Sequence, residues 1–398
     1  MTALFTNRAG LLLFGLSALS GSGRDVAGGT PSLPRGFSTA RAVLSDSGKG
    51  LGDLDFTLRL NTFYHSNVAQ QALDPESDWL ITPAVQASYE LVNSRWKLGT
   101  RAELEHHFYQ KRDDFSATDY SLSAYGGYRS QKVVASFTSG ISSTSGLNRL
   151  TSSFIEQFSY HSGLLASYHF TGKTSLFASW NQRTNESQTG GFGDTSSVTT
   201  GLSALWRMSP LLTVGPGFRH GTRTGVGDEE FTVMGPTLRL DYQLASKVKL
   251  RSSFGIDTAD SPFSGEDTLL NWSAALTYRA SSLWGFDLEM MRDSQASLAR
   301  GGGFDEVTSY RFNYWRKIRT ARAQLGVSFE DRNPTDSQPT LVGVRDSKYV
   351  ALSAALTFPV YQDKADLTLS VAWRDLSTTT GNSSWDGLQS GLGIQWRF

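Results

Sequence analysis

The chain ends on a segment in which apolar residues strictly alternate with small or polar ones. Its last eight residues are Gly391-Leu392-Gly393-Ile394-Gln395-Trp396-Arg397-Phe398. Side chains of a β-strand point alternately to its two faces, so this segment has one apolar face and one small or polar face. A transmembrane β-barrel needs such strands, because lipid lies outside the barrel and water lies inside it.

The last strand also resembles the terminal strand that bacterial outer-membrane barrels present to their assembly machinery. This resemblance predicts that Leu392, Ile394, Trp396 and Phe398 form an assembly signal.

The same alternation recurs along the chain from Leu51 onward. We count about eighteen such runs, an even number, as single-chain bacterial barrels have. Clear examples are Leu54/Phe56/Leu58/Leu60, Trp79/Ile81/Pro83/Val85, Trp96/Leu98/Ala102/Leu104, Leu270/Trp272/Ala274/Leu276 and Val350/Leu352/Ala354/Leu356. The sequence therefore predicts a single antiparallel up-and-down transmembrane β-barrel over residues 52–398.

Short and long connections alternate between these runs. Outer-membrane barrels have short periplasmic turns and longer external loops, so the alternation favours a barrel over a soluble sandwich. The predicted short turns are 93–94, 129–132, 171–173, 209–210, 245–247, 280–282, 318–320 and 359–364. The predicted long links are 64–78, 111–118, 142–157, 185–194, 221–230, 258–266, 293–305, 331–347 and 377–385. A soluble solenoid or propeller would instead show a fixed repeat with recurring motif residues, and none recurs here.

The N-terminal residues are typical of an export signal. Arg8 precedes the apolar run 9–19, which is too short to span a bilayer as a helix. A cleaved signal peptide is predicted over residues 1–22, with cleavage sites open up to about Gly29. A flexible periplasmic leader is predicted over residues 23–51. These residues are too few for the plug domain of a TonB-dependent transporter.

Charge and cysteine content narrow the function classes. Lysine plus arginine equals aspartate plus glutamate at 37 each, so no nucleic-acid partner is expected. Cysteine is absent, which excludes disulfides and cysteine-ligated metals.

The polar face of the runs would line the lumen. In the predicted register this face carries about seventeen cations against ten acids, which indicates a net-basic lumen that favours anions. The cations are Arg59, Lys97, Arg101, Arg129, Lys132, Arg183, Arg207, Arg219, Arg239, Lys249, Arg251, Arg279, Arg311, Lys317, Arg322, Arg374 and Arg397. The acids are Asp55, Glu90, Glu103, Glu105, Asp241, Asp257, Asp287, Glu289, Glu330 and Asp366. His107, Tyr125 and Phe177 are also predicted to point inward, and pairing among the charges is the alternative to a basic lumen.

No connection has the length or motif of the constriction loop of general diffusion porins. The sequence therefore predicts a wide lumen that side chains alone make narrower. Trp96, Trp206, Trp284, Trp373 and Trp396 are predicted near strand ends, where membrane-interface belts fall.

The sequence gives little support for an enzyme active site. Ser159 and His161 share a strand face, and Asp113-Asp114 lies on a loop near His106-His107. Neither arrangement completes a hydrolase site, and no HExxH, P-loop or EF-hand motif is present. The chain is predicted not to be an enzyme, and to need no cofactor, catalytic residue or metal.

The opening strands resemble a known family. Tyr64-His65-Ser66-Asn67-Val68, Ser77-Asp78-Trp79, Thr82-Pro83, His107-Phe108-Tyr109 and Asp119-Tyr120 are similar to the start of the putative β-barrel porin 2 family. The resemblance covers the first four strands in motif detail and the rest in architecture only. It implies a large single barrel associated with exopolysaccharide export, and it supplies no catalytic residues.

The sequence thus predicts a bacterial outer-membrane channel with both termini in the periplasm. It would be porin-like or a conduit for exopolysaccharide. Expected partners are outer-membrane lipid and lipopolysaccharide, the barrel assembly machinery, an anionic polysaccharide and periplasmic export components. The alternative is an occluded structural or surface-interaction barrel that acts through its external loops.

Overall fold

A computed structural model describes most of the chain beyond the predicted leader. The described residues are 53–148, 152–189, 193–225, 230–261, 265–296, 304–334, 346–361, 364–379 and 384–398. The predicted signal peptide (1–22) and leader (23–51) lie outside these residues and stay predictions. Within the described residues, no helix combines the length and apolar character needed to cross a membrane.

Eighteen β-strands follow one another along the described chain. A short 3-10 helix, Asp113–Phe115, lies between the third and fourth strands. The strands are β1 (Asp53–His65), β2 (Asp78–Val92), β3 (Trp96–Tyr109), β4 (Ala117–Arg129), β5 (Val133–Asn148), β6 (Ser153–His169), β7 (Thr174–Ser187), β8 (Thr195–Arg207), β9 (Leu212–Thr224), β10 (Glu230–Ala245), β11 (Val248–Ser261), β12 (Gly265–Arg279), β13 (Trp284–Ala296), β14 (Phe304–Ile318), β15 (Ala321–Pro334), β16 (Ser347–Tyr361), β17 (Ala365–Thr378) and β18 (Trp385–Arg397).

Each strand pairs antiparallel with the next one in sequence, and β1 pairs with β18 to close the sheet. Leu60 of β1 lies opposite Ile394 of β18 and Pro83 of β2, while Arg59 lies opposite Gln395 and Ala84. The predicted fold, a closed 18-strand up-and-down barrel, is confirmed.

The outer surface of the barrel is apolar. On β1, Leu54, Phe56, Leu58 and Leu60 are each about half exposed, while Thr57 between them is buried. Residues directly opposite in an antiparallel pair share a face, so the apolar set continues from strand to strand around the barrel. The predicted period-two pattern thus separates a lipid-like exterior from a polar interior.

Aromatic rings form a belt near the short turns. Trp96 packs on Tyr128 with ring centroids 4.5 Å apart, Trp284 contacts Tyr278 and Tyr314, and Trp396 stacks on Tyr361. Trp206 is exposed at the same end of β8, as predicted. Trp373 differs, since it lies beyond the middle of β17, toward the long connections.

The connections differ from the prediction at one end of the barrel. The short turns match, but β5 and β6 extend to Asn148 and from Ser153, so the predicted 142–157 link shrinks to 149–152. The predicted 258–266 link likewise shrinks to 262–264. Polar residues continue the ladder past the apolar belt, and a polar stretch without alternation looks like a loop in sequence. We call the two ends of the barrel the turn end and the loop end.

Candidate translocation lumen

The strand ladder places the predicted lumen residues on one face of the sheet, opposite the exposed apolar face. The set comprises Arg59, Lys97, Arg101, Glu103, Glu105, His107, Arg129, Arg219, Arg239, Arg251, Arg279, Arg311, Arg322, Arg374 and Arg397. Arg397 lies opposite the buried Thr57, which links the set to the interior. Lys132 differs, because it lies in the turn between β4 and β5.

The ladder reduces the predicted basic excess of the lumen but does not remove it. The inner face of the described strands also carries Arg223 and Arg332, together with five further acids: Asp78, Asp119, Asp267, Asp293 and Asp305. Eighteen cations therefore face fifteen acids, so the predicted excess of seven cations falls to three. Most of the added acids lie at the loop end, in stretches without clear alternation in the sequence.

Toward the turn end, the inner charges form partly exposed ion pairs. Lys97 Nζ lies 2.9 Å from Glu90 Oε2, and Arg279 Nη2 lies 3.0 Å from Asp287 Oδ2. Arg397 pairs with Asp366. The Tyr125 hydroxyl donates to Glu90, and its ring lies over Gly99, where a Cβ atom would be only 2.3 Å from the ring. Glycine is therefore required at position 99 for the tyrosine to lie flat on the wall.

A first buried network spans β1, β3, β4 and β5. Arg59 pairs with Glu103, and its Nη2 lies 3.8 Å from Glu105. His107 Nε2 lies 3.2 Å from Asp119 Oδ2, and Ser145 donates to the other oxygen of that carboxylate. The network ties four strands together across the inner wall.

A second network joins β9, β11 and β13. Arg219 pairs with Asp257 and with Asp293, and Arg223 Nη2 lies 3.0 Å from Asp293 Oδ2. The β12–β13 ladder ends at Trp272 and Arg292, so the last residues of β13 leave β12. Since β10, β11 and β12 separate β9 from β13 in the sheet, the β13 tip must lean inward to reach β9.

This lean covers an apolar cluster on the inner wall. Phe231, Val233, Ala259 and Leu269 of β10, β11 and β12 point inward, and all four are buried. The two networks and the cluster were not predicted, because sequence periodicity defines which face a residue occupies but not which strand tips bend.

The connection between β1 and β2 lies over the mouth at the loop end. Val68 and Ala69 are buried against Phe115 and Leu147, and Ser152 donates to the Gln70 carbonyl oxygen. β3 and β4 lie between β2 and β5, so the connection crosses an arc of the barrel end. It borders a small cavity whose other wall includes the inward residues His65, Tyr109, Arg374 and Gln389, so it lies on the lumen side.

Asn67 holds this connection in place. Its amide nitrogen donates to the carbonyl oxygens of Gln71 and Asp386, at 2.8 and 2.9 Å, and its oxygen accepts from the Gln71 N–H. Asp386 is the second residue of β18, the strand that pairs with β1, so one side chain links the connection to itself and to the neighbouring strand.

Asp78 performs a similar task for the β3–β4 connection. Its buried carboxylate accepts the backbone N–H groups of Trp79, Lys111 and Arg112 at 2.7 to 3.1 Å. Arg112 in turn stacks over Phe115 and donates to Asp114 and Glu76. The hydrogen bond from Arg112 lowers the pKa of the exposed Asp114 carboxyl below its usual range.

The prediction of a wide lumen narrowed by side chains alone is therefore wrong at the loop end. There, inward residues such as Leu80, Thr82, Leu376 and Trp385 are buried by strand tips and connections. Toward the turn end, inward Lys97, Arg279, Arg311 and Arg397 keep two fifths or more of their side-chain surface exposed. The inward side chains are thus more exposed at the turn end and more buried at the loop end of the described barrel.

One sector of the inner wall is neutral and rich in hydroxyl groups. Between their ends, β4 to β8 carry one charged inward residue, Arg183, beside Tyr125 and Phe177. The hydroxyl residues of this sector are Ser121, Ser123, Ser136, Thr138, Ser142, Ser159, Ser167, Ser179, Ser197, Thr199 and Ser203. The lumen thus has a neutral wall opposite a charged one.

The catalytic candidates do not converge in the structure. Ser159 donates to Asn185 rather than to His161. Asp114 pairs with Arg112, while His106 points outward to Thr118 and His107 points inward to Asp119. The described residues contain no group of three acidic or histidine side chains arranged to hold a metal ion.

Comparison with known proteins found structural likeness only. No family model matches the chain, and no curated protein matches it. Similar solved structures include Pseudomonas aeruginosa OpdK with vanillate, at 12% identity and TM-score 0.46, covering 87% of this chain and 99% of that one. Pseudomonas aeruginosa OccK2 (OpdF) gives 12% and 0.47 with coverage of 87% and 98%. Pseudomonas aeruginosa OprD gives 13% and 0.43 with coverage of 88% and 97%.

Proposed function

We propose that this protein is an outer-membrane channel that passes polar solutes through a selective, partly closed lumen. The observation that carries the proposal is the division of the closed wall into an apolar outside and a polar, charged inside. A closed barrel leaves no sheet edge in lipid, and its polar interior offers hydrogen bonds and charges to solutes.

The spacing of the outer aromatic residues supports a membrane location. Trp96 and Phe108 point outward from opposite ends of β3. Twelve residues at about 3.4 Å each, tilted by about 40°, span roughly 30 Å along the barrel axis. This distance is close to the apolar band of an outer-membrane barrel, about 25 Å tall, with its flanking girdles. Asp53 and Phe398 both lie at the turn end. We infer that this end faces the periplasm, because outer-membrane barrels have their short turns there.

The packed loop end supports selectivity rather than free diffusion. Solutes that enter at the turn end would meet the Arg59 and Arg219 networks and then the covered mouth. Ion-paired arginines still offer donors to anions, so a modest anion preference is expected.

A second candidate is the conduit for a hydroxyl-rich polymer, as the family resemblance implies. The neutral wall of β4 to β8 favours it, since hydroxyl groups and the rings of Tyr125 and Phe177 suit sugar rings. The 66–77 connection lies over part of the mouth, and exopolysaccharide export stays a prediction.

Single-channel recording of the refolded chain in a planar bilayer tests the proposal. We expect small, steady conductance steps, and under a salt gradient a reversal potential shifted toward that of the anion. Blockade by neutral oligosaccharides without charge dependence would favour the polymer conduit. Absence of conductance from a demonstrably folded barrel would contradict the channel and favour a surface-interaction barrel.

A further inference from the structure

The turn end of the barrel carries a continuous ring of positive charge. Each of the eight short turns contains a lysine or arginine or directly follows one. We define the basic collar as these turn cations together with inward cations near the adjoining strand ends. Its members are Arg95, Lys97, Arg129, Lys132, Lys173, Arg207, Lys247, Lys249, Arg279, Lys317, Arg319, Arg322, Lys364 and Arg397.

The outer tier of this collar has no partner acids. Arg95, Lys132, Lys173, Lys247, Arg319 and Lys364 are exposed on the turns, and none forms an ion pair with another described residue. Of the nearby acids, Glu90 is engaged by Lys97, Asp287 by Arg279 and Asp366 by Arg397, while Asp55 of β1 forms no ion pair with these six cations. Positive charge therefore remains unbalanced at this end.

The opposite end has the reverse character. The buried acids Asp78, Asp257 and Asp305 lie on the inner wall near the loop end, and the connections there add Glu76 and Asp114. The chain has equal numbers of cations and acids. The barrel thus has more cations at the turn end and more acids at the loop end. A total count of the lumen charges does not show this separation along the axis.

We propose that the basic collar captures polyanionic solutes from the side of the short turns, which makes the turn end the loading end of the barrel. The loading role rests on the proposed channel function, whereas the binding itself does not. Neighbouring turns are two strands apart, about 10 Å, which is close to the Debye length of about 8–10 Å at moderate salt. A single small anion meets one or two collar cations, while a chain of anionic groups spans several.

Part of the collar lies where membrane lipid cannot reach it. Arg129, Arg207, Lys249 and Lys317 lie on the lumen face of the wall, inside the ring of turns. The collar also adjoins the half of the lumen whose inward side chains are more exposed, so a bound polyanion would lie at the entrance of that half. Both features favour a solute over a lipid headgroup.

Binding to the full mature chain folded in neutral detergent micelles tests the proposal. The probes are a linear oligogalacturonate, tripolyphosphate as a polyanion without sugar, and a neutral oligosaccharide of matched length. The collar variant is Lys132→Gln/Lys173→Gln/Lys247→Gln/Lys364→Gln. The control variant is Lys111→Gln/Lys348→Gln, which removes exposed cations at the loop end.

We expect both polyanions to bind, the neutral sugar not to bind, and affinity to fall with salt. The collar variant should lose about tenfold or more in affinity, from four exposed charge pairs of modest strength each. The control should stay within about twofold, since its cations lie beyond the Debye length. Equal polyanion affinity of both variants would overturn the proposal that the collar binds polyanions.

Two further outcomes separate the collar from the channel. In bilayers with one orientation, oligogalacturonate should block current from the turn side only, and blockade from either side equally would overturn the loading end. Polyanion binding that anionic lipid abolishes would make the collar a headgroup site and overturn the proposal. A barrel that binds polyanions through the collar but never conducts contradicts the channel and leaves the capture surface standing.

Discussion

At the scale of single residues, the most important missed position is Asp78. A sequence shows an aspartate before a strand, and such a residue usually faces solvent. Here its carboxylate receives three backbone N–H groups, two of them from the connection after β3. Sequence periodicity cannot reveal this, because two of the three donors lie more than thirty residues away along the chain.

We expect Asp78→Ala to destabilise the barrel and to loosen the β3–β4 connection. The change leaves three N–H groups without their charged acceptor, which costs about 3 kcal/mol. Asp78→Asn should lose less, because one carbonyl oxygen remains. Urea unfolding of the folded barrel in micelles measures both, and an unchanged midpoint for Asp78→Ala would show that water replaces the carboxylate.

Asp114→Ala is the matched control on the same connection. Asp114 is exposed, so its pair with Arg112 should contribute at most about 1 kcal/mol. Because Arg112 lowers the pKa of Asp114, this small stabilisation is present above the unfolded value of about 4 and is lost as the pH falls below it.

At the scale of elements, the strands and short turns could be predicted, and the course of the long connections could not. Leu54 to Leu60 and Leu392 to Phe398 alternate because an outward side chain recurs at every second residue of a strand. No such periodicity governs the connection between β1 and β2, residues 66–77. Its course over the mouth depends on hydrogen bonds of Asn67, Gln70 and Ser152. Gln70 and Asp74 have positive φ angles of 53°, which no glycine signals in the sequence.

We expect Asn67→Ala to release this connection from the mouth. The change removes two donated hydrogen bonds and one accepted bond, so the 66–77 segment should become sensitive to protease. If the connection narrows a channel, conductance should also rise. Gln71→Ala is the control, because the Gln71 side chain is exposed and its backbone makes the contacts. Resistance to protease equal to that of the parent chain would contradict the anchoring role of Asn67.

At the scale of the whole molecule, closure of the barrel brings distant residues together. β1 and β18 pair over nine positions, from Thr57 opposite Arg397 to His65 opposite Gln389. The alternation of both strands predicts compatible faces, since Leu58 meets Trp396 and Arg59 meets Gln395. The charge separation along the axis was beyond the sequence, because it depends on which strand end each residue occupies once the barrel closes.

The terminal residue takes part in this closing seam. The Phe398 N–H donates to the Phe56 carbonyl oxygen at 2.9 Å, and its ring packs beside Trp396. Arg397 bonds to Lys364 through its backbone and to Asp366 through its side chain, so the end of β18 is held on both sides. The seam therefore loses a hydrogen bond and a ring contact when Phe398 is removed, while the ladder before it stays whole.

We expect deletion of Phe398 to reduce insertion in cells far more than stability in vitro. One lost hydrogen bond and an exposed ring cost only about 1–2 kcal/mol of a barrel closed by eighteen strand pairs. If Phe398 belongs to the assembly signal, outer-membrane yield should fall severalfold while the exported chain accumulates in the periplasm. For the parent chain and the deletion variant, we would measure two quantities. One is the amount of folded, heat-modifiable barrel in outer membranes, and the other is the refolding yield in micelles. A parallel loss in both would mean that Phe398 acts through the seam, and a normal cellular yield would contradict the assembly signal.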